Sequence, residues 1–203
     1  MNYFITAIDT NVGKTVFSAI LAKALGYSYW KPIQCGDLDH TDSMKIKAWT
    51  DVNIYPEAFK LKDPLSPHEA ARLSEANLVL EKVELPSDEH MVIEGAGGIM
   101  VPLNNNGELV IDIAKKTGSE VILVVKNYLG SINHSLLSCE YLKHHNISVK
   151  GLVVIGKTTP SSEEIIQKIS GLKILFRIPY GNLNADFISK QAKKLKESWN
   201  NVV

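Results

Sequence analysis

The sequence has few cysteines, no net charge and no long hydrophobic run, and each absence narrows the class of protein. Its two cysteines, Cys35 and Cys139, allow at most one disulfide, and free thiols in a reducing cytoplasm are more typical of such a chain. Basic and acidic residues number 22 each, which argues against nucleic acid or a membrane surface as the main partner. No apolar run is long enough to span a bilayer, and no signal-like segment opens the chain. We therefore expect a cytoplasmic protein.

One stretch near the start of the chain carries the strongest chemical signal. Residues 3–5 read as a buried strand, and apolar residues recur at helical spacing over 16–25. Between them lies Gly-Lys-Thr, the order of a phosphate-binding loop, whose backbone N–H groups hold phosphate oxygens at a helix N-terminus. Lys14 would reach the terminal phosphates and the Thr15 hydroxyl a bound Mg²⁺. Ile8 replaces a glycine of the strict pattern, so we predict a variant loop that binds a nucleoside triphosphate. The alternative is a turn that merely contains Gly-Lys-Thr.

Strand-like and helix-like segments alternate along the rest of the chain. Strands are predicted over 28–33 (ended by a proline), 90–93, 120–125, 149–155 and 173–176, and helices over 42–49, 109–117, 161–169 and 185–199. Residues 129–145 are predicted to be a loop that turns into a helix. The segment 55–67 is irregular, and a helix that starts at Ser66-Pro67 is expected to continue in pieces to Leu85. Such alternation predicts an α/β fold with a mostly parallel sheet and helices on both faces, a three-layer sandwich like that of phosphate-loop NTPases. We expect a single domain over residues 1–203, since no repeat or linker interrupts it.

Several polar residues are predicted to lie beyond the carboxyl ends of the strands, where ligands bind in a parallel sheet. Lys31 follows the second strand, and beside Lys14 it would stabilise negative charge during phosphoryl transfer. Glu94 ends an apolar strand before a glycine-rich run, where a carboxylate can bind metal or position a nucleophile. Alternatively, Lys31 is a solvated loop residue and Glu94 is a capping carboxylate. Asp42 is a further carboxylate, although Asp37 could take its place at a metal and either could be merely solvated.

The segment that begins near Gly130 opens a helix after a buried strand. Gly130 and Ser131 suit an N-cap, and the free N–H groups there could bind a substrate carboxylate. The alternative is an ordinary capped helix. Cys139 falls on the apolar face of this helix and is predicted to be core.

With these residues assembled, the chain resembles the ATP-dependent dethiobiotin synthetases over nearly its whole length. The resemblance rests on residues 9–15, 31–32, 66–68, 92–98 and 129–134, in that order. It implies a ligase that forms C–N bonds in biotin biosynthesis and converts diaminopelargonic acid, CO₂ and MgATP into dethiobiotin, ADP and phosphate. A substrate amine would take up CO₂ as a carbamate, and the carbamate would attack the γ-phosphate to give a carbamic-phosphoric anhydride. The second amine would then close the ring and expel phosphate.

The resemblance also implies a role for particular residues. The catalytic groups would be Lys14, Lys31 and Thr10, and the Mg²⁺ ligands Thr15, Asp42 and Glu94. ATP would contact Asn11, Val12, Gly13, Lys14, Thr15, Val16, Asp42, Glu94, Gly95, Ala96, Gly97, Gly156, Lys157, Pro179, Tyr180 and Gly181. The substrate would contact Cys35, Gly130, Ser131, Ile132 and Asn133. The last four of these would act across the subunit interface of a homodimer.

The sequence departs from the family pattern at some of these positions. Cys35 stands where the family usually has serine or threonine, and a thiol donates a weaker hydrogen bond. Residues 7–8 are Ala-Ile where a glycine is usual. Gly-Lys at 156–157 replaces the Asn-Asp pair that reads adenine. We therefore expect adenine selectivity to depend on backbone near 179–181 or to be relaxed, so that other nucleoside triphosphates are used more readily.

Two rival functions use the same phosphate chemistry. A partitioning-type ATPase would use nucleotide as a dimer switch, but such proteins carry an additional lysine near the start of the loop, and residues 5–12 contain none. A relative that amidates or ligates carboxylates would need a larger substrate site or a glutaminase domain, and 203 residues leave no room for the latter.

Overall fold

A seven-stranded sheet lies at the centre of the molecule, in a computed structural model that describes residues 1–199. In chain order the strands are β1 (Asn2–Ala7), β2 (Ser28–Trp30), β3 (Ile33–Cys35), β4 (Ile54–Tyr55), β5 (Phe59–Leu61), β6 (Met91–Glu94), β7 (Glu120–Lys126), β8 (Val149–Ile155) and β9 (Ile174–Ile178). The main sheet has the order β4-β2-β6-β1-β7-β8-β9, and its neighbouring strands are parallel. Strands β3 and β5 form a separate parallel pair.

Helices cover both faces of the main sheet. They are α1 (Lys14–Leu25), α2 (Asp42–Trp49), α3 (Pro67–Leu73), α4 (Asp112–Lys116), α5 (Ser131–His144), α6 (Pro160–Ser170) and α7 (Ala185–Trp199). Side chains alternate along β7, so that Ile122 packs in one core with residues of α1, α2 and α7. Leu123 packs in the other core with residues of α3, α4, α5 and α6. The predicted three-layer α/β fold is confirmed, and no helix within residues 1–199 is both long and apolar enough to cross a bilayer.

Some predicted boundaries are wrong. The strand predicted over 28–33 is interrupted at Lys31 and Pro32, because β2 ends at Trp30 and Ile33 already pairs with Phe59 in the small sheet. The small sheet also corrects the prediction that 55–67 is wholly irregular. The helix expected to reach Leu85 ends at Leu73, and only a 3-10 turn over Leu80–Lys82 follows within that range.

The register of three central strands positions the functional side chains. Trp30 of β2 lies opposite Ile93 of β6, so the next residues, Lys31 just after β2 and Glu94 at the end of β6, lie side by side. Glu94 in turn lies opposite Ile5 of β1, which leads into the phosphate loop. Parallel pairing therefore brings residues far apart in the sequence to one edge of the sheet.

Candidate active site

The loop between β1 and α1 has the geometry of a phosphate cradle. Helix α1 begins at Lys14, and its N-cap, Gly13, has a φ of 112°, which a residue with a side chain rarely adopts. A Cβ atom at Gly13 would lie 2.6 Å from Cδ1 of Ile155, at the end of β8. Glycine is therefore required at position 13, both by the backbone conformation and by the lack of space for a side chain. The N–H groups of the first turn of α1 are left free to bind an anion.

Lys14 is folded back over this loop and is largely buried. Its Nζ donates a hydrogen bond to the carbonyl oxygen of Asp9 at 3.1 Å. Burial lowers the pKa of Lys14 to about 8; nearby Glu94 opposes this shift and nearby Lys31 adds to it. A phosphate group beside Lys14 would favour its charged form.

Lys31 forms the centre of a buried ionic cluster. Its Nζ contacts Oδ2 of Asp42 and lies 3.2 Å from Oε1 of Glu94, and both Lys31 and Glu94 are buried. Burial alone would lower the pKa of Lys31, but the two carboxylates outweigh it and raise that pKa. Burial would likewise raise the pKa of Asp42, whereas Lys31 and then Lys45 lower it to about 2. Lys31 and Asp42 are therefore both charged at neutral pH.

Glu94 is held by neutral donors as well. The Thr15 hydroxyl donates to Oε1 of Glu94 at 2.8 Å, and the Tyr29 hydroxyl donates to Oε2 at 3.0 Å. Burial and the nearby Glu94 raise the pKa of Tyr29 well above its usual value, so Tyr29 stays a donor. Sequence reasoning missed Tyr29. It lies two residues before Lys31, on the same face of an extended segment, and that spacing is the signal that could have revealed it.

A cavity of about 960 Å³ lies beside the ionic cluster. The predicted site residues that line it are Thr10, Asn11, Gly13, Lys14, Thr15, Val16, Lys31, Cys35, Asp42, Glu94, Ala96 and Gly97, together with Asp37. Lys45, Gln34 and Trp49 also line it and were not predicted. Gln34 accepts a hydrogen bond from the backbone N–H of Asp42 at 3.3 Å, so it helps to fix the start of α2.

Cys35 faces this cavity as a neutral thiol. Burial raises the pKa of Cys35 to about 11, although Lys31 opposes the shift. Within residues 1–199 both cysteines are free, and Cys139 is buried, as predicted from its place on the apolar face of α5. The Cys35 thiol can therefore offer a substrate only a weak hydrogen bond.

The start of α5 does not line this cavity. Gly130 is its N-cap, with a φ of 101°, and the Ser131 hydroxyl accepts a hydrogen bond from the backbone N–H of Tyr128 at 3.3 Å. Ile132 and Asn133 are exposed. Leu129, just before the cap, is fully exposed at 103%. Within one subunit the predicted carboxylate site is thus separate from the ionic cluster.

The predicted adenine-binding segments also lie outside the cavity lining, beyond the ends of β8 and β9. The backbone N–H of Gly156 donates to the carbonyl oxygen of Ile178 at 2.8 Å, which ties the two strand ends together. Tyr180 is 66% exposed, and a Cβ atom at Gly156 would lie 2.6 Å from its ring. The aromatic ring therefore fills the space next to Gly156 that a side chain would need. Asn127 donates to the carbonyl oxygen of Lys157 at 3.0 Å.

The oxygen atoms around Lys31 suit Mg²⁺. Thr15, Asp42 and Glu94 offer a hydroxyl and two carboxylates, the hard donors that Mg²⁺ prefers. Both carboxylates already converge on one ammonium group, so this position favours a cation. Within residues 1–199 no group of three or more His, Cys, Asp and Glu side chains is arranged to hold a metal, so a third protein oxygen would have to come from a group such as the Thr15 hydroxyl. The residues present fit a magnesium site.

The fold and the loop define a nucleotide-binding protein of the phosphate-loop class. Residues 1–185 match the family described as "AAA domain". The septum site-determining protein MinD of Pyrococcus horikoshii, solved with Mg-ADP, is similar with a TM-score of 0.61 and 16% identity, over 100% of this chain and 99% of that chain. The cell division ATPase MinD of Pyrococcus furiosus is similar with a TM-score of 0.64 and 14% identity, over the same shares. These likenesses concern the fold alone.

Curated relatives define the family within this class. The ATP-dependent dethiobiotin synthetase of Cytophaga hutchinsonii is 45% identical over 203 residues, which cover 97% of this chain and 98% of the relative. That of Christiangramia forsetii is 46% identical over 181 residues, which cover 87% of this chain and 86% of the relative. The chain belongs to the ATP-dependent dethiobiotin synthetase family, as the sequence motifs predicted.

Proposed function

We propose that this protein carboxylates diaminopelargonic acid with CO₂ and closes the product to dethiobiotin, with conversion of ATP to ADP and phosphate. The observation that carries the proposal is the position of Lys31, which contacts Asp42 and Glu94 in the cavity that the phosphate loop opens onto. The ammonium groups of Lys14 and Lys31 line the same cavity and are close enough to affect each other's charge. Two cations near the transferring group are what an anionic carbamate and a phosphoryl group require.

The reaction proceeds in three steps that these residues support. One amine of the substrate loses a proton and forms a C–N bond to CO₂, and Lys31 stabilises the resulting carbamate anion. A carbamate oxygen then attacks the γ-phosphorus, and the bond to the ADP oxygen breaks while Lys14 and Thr10 face the charge that develops. The second amine attacks the carbamate carbon, the C–O bond to phosphate breaks, and the ureido ring closes with loss of a proton.

The magnesium site is part of this proposal. Thr15, Asp42 and Glu94 would hold Mg²⁺, which would supply positive charge to stabilise the phosphate groups. The Tyr29 hydroxyl orients Glu94 by donating a hydrogen bond to it. Hydrogen-bond partners of a metal's ligands commonly fix the ligands in this way. We prefer Asp42 to Asp37 as a metal ligand because Asp42 and Glu94 already contact the same ammonium group, that of Lys31.

The substrate site is completed by a second subunit in this proposal. The start of α5, at residues 130–133, offers backbone N–H groups for the substrate carboxylate, although that of Ser131 already donates to the carbonyl oxygen of Tyr128 at 3.0 Å. It lies outside the cavity of its own subunit, and exposed Leu129 and Ile132 beside it suit a subunit interface. We therefore propose a homodimer whose active sites lie at the interface. Unpaired Cys35 and Cys139 are in keeping with a cytoplasmic location.

Phosphate release tests the proposed function against a nucleotide switch. We expect release to rise when diaminopelargonic acid and bicarbonate are added together, and dethiobiotin to form in equal amount. Omission of either compound should return the rate to background. Release that ignores both compounds and rises with DNA or a protein partner would contradict the synthetase and favour the switch.

A further inference from the structure

Asp42 is held by two lysines, of which only one belongs to the catalytic group proposed above. Lys31 contacts Oδ2 of Asp42, and Nζ of Lys45 lies 3.2 Å from Oδ1. Lys45 is three residues further along α2, so it projects from the same side of the helix as Asp42. Lys45 also lines the cavity. Both oxygens of a proposed metal ligand therefore already have an ammonium partner.

Lys31 and Lys45 differ in how easily each can separate from Asp42. The side chain of Lys31 is 7% exposed and also pairs with Glu94, so its departure would leave buried charge uncompensated. The side chain of Lys45 is 40% exposed, and its one ionic contact within residues 1–199 is Asp42. Water can solvate Lys45 as soon as it separates from Asp42. Lys45 is therefore the partner that a cation at Asp42 can displace at little cost.

Charge in the cavity supports the same conclusion. Lysines 14, 31 and 45 line it, and the carboxylates that line it are those of Asp37, Asp42 and Glu94. The charges of these side chains balance without a metal. A divalent cation that enters must compete for a carboxylate whose charge is already neutralised, and it is repelled by each ammonium group that stays close.

We propose that Lys45 is a positioning residue that competes with Mg²⁺ for Asp42 and so sets the metal concentration at which the site fills. The inference rests on the metal role of Asp42 in the proposed function. Without metal, Lys45 holds Oδ1 and keeps the carboxylate pointed into the cavity. A metal bound at Asp42 would displace Lys45 from Oδ1, and the Lys45 side chain would turn towards solvent. Without Lys45, Asp42 is paired by Lys31 alone and accepts a metal more readily.

Mn²⁺ titration of the full-length protein in the presence of ADP tests this directly, since the paramagnetic signal of free Mn²⁺ reports binding without turnover. We expect Lys45→Met to lower the half-saturating Mn²⁺ concentration about fivefold, the scale of one partly exposed ion pair. Lys47→Met is the matched control, because Lys47 is exposed on the same helix and makes no ionic contact within residues 1–199. Lys47→Met should bind Mn²⁺ as the unchanged protein does. Lys45→Arg keeps the positive charge and should show the same half-saturating Mn²⁺ concentration as the unchanged protein.

Unchanged or weaker Mn²⁺ binding by Lys45→Met would overturn the inference, as would an equal effect of Lys47→Met. The Asp42→Asn variant distinguishes a wrong role for Lys45 from a wrong assignment of the metal site. Mn²⁺ binding that survives Asp42→Asn would remove Asp42 from the metal and overturn both proposals. Loss of binding in Asp42→Asn, together with no effect of Lys45→Met, would overturn only the role of Lys45.

Discussion

Nζ of Lys31 lies 3.2 Å from Oε1 of Glu94, although 62 residues separate them in the chain and both side chains are buried. The parallel register of β2 and β6 brings them together, since Trp30 and Ile93, the residues before them, are paired. A buried lysine between carboxylates costs desolvation energy that packing alone would not require. Such a cluster beside a phosphate loop is expected where charge must be stabilised during a reaction.

Lys31→Ala should nearly abolish turnover and largely spare ATP binding. The phosphate loop and Lys14 remain to hold the nucleotide, whereas the group that stabilises the carbamate is lost. We expect kcat to fall by at least about a hundredfold, the usual effect of removing one such electrostatic contact. Steady-state kinetics and calorimetric ATP titration measure the two quantities. Lys47→Ala, on the exposed side of α2, serves as the control and should retain full turnover. An alanine variant at 31 with near-normal kcat would remove Lys31 from the chemistry.

Tyr29→Phe should destabilise the protein because it removes a buried donor to a charged oxygen. The Tyr29 hydroxyl lies 3.0 Å from Oε2 of Glu94, and both residues are buried. Loss of such a bond should lower the free energy of unfolding by about 1–3 kcal/mol. Urea unfolding at neutral pH measures this change.

Tyr27→Phe is the matched control for that experiment, since Tyr27 stacks on His90 and contributes no hydroxyl to the ionic cluster. It should change the free energy of unfolding by no more than about 0.5 kcal/mol. Equal effects of the two substitutions would show that the hydroxyl of Tyr29 contributes nothing specific to the position of Glu94.

Nucleotide binding should weaken as the pH rises above about 8, because of Lys14. Burial lowers the pKa of this lysine to about 8, so its ammonium form is present below that pH and is lost above it. Phosphates bind the ammonium form, which means that ADP binding must take up a proton in alkaline solution. By linkage the dissociation constant should rise by up to about tenfold for each pH unit above the pKa.

Calorimetry of ADP binding at several pH values, in buffers of different ionisation enthalpy, measures both the affinity and the proton uptake. Lys14→Arg should keep its charge throughout the range, so its affinity should be flat across the same pH values. A dissociation constant that stays constant up to strongly alkaline pH in the unchanged protein would contradict the assignment of Lys14.

Nucleotide selectivity should be relaxed. At the predicted base site Gly156 offers no side chain to read the base, and the exposed Tyr180 ring occupies the adjacent space. An aromatic ring can contact any base through its face, so we expect GTP and CTP to support turnover with kcat/KM within about tenfold of that for ATP. Competition between nucleotides in a single reaction measures this ratio. Turnover confined to ATP would contradict the expectation.

Gly156→Asn alone should not create a strict preference for ATP. Gly156 has a φ of 94°, and its Cβ would lie 2.6 Å from the Tyr180 ring. The new side chain would therefore displace the tyrosine or strain the strand end. We expect weaker binding of every nucleotide by this variant, measured by the same competition. A gain in affinity for ATP relative to GTP would show that the new side chain displaces the Tyr180 ring easily.

Much of the fold could be predicted because the signals were local. The buried strands are continuous apolar runs, and Gly-Lys-Thr marks the start of α1 whatever lies around it. Lys31 and Glu94 could be placed together because both follow strands of one parallel sheet. The small β3–β5 sheet was missed because Pro32 looked like the end of a strand, whereas it separates two strands that belong to different sheets.

The remaining features depend on contacts that a pattern does not contain. Tyr29 and Lys45 look like ordinary strand and helix residues until their partners, Glu94 and Asp42, are seen. The packing of Tyr180 against Gly156 joins two loops, and neither loop alone predicts it. Tertiary contacts of this kind determine which charged side chains meet, and sequence spacing predicts them only where strand register is known.

Oxygen transfer from bicarbonate to phosphate tests the central claim most directly. A carbamate oxygen that attacks the γ-phosphorus stays on phosphate when the ring closes, because the C–O bond is the one that breaks. With bicarbonate labelled by oxygen-18 and diaminopelargonic acid present, mass spectrometry should find one labelled oxygen in each phosphate released. Phosphate that carries an oxygen from labelled water instead would mean simple ATP hydrolysis and would contradict the proposed reaction.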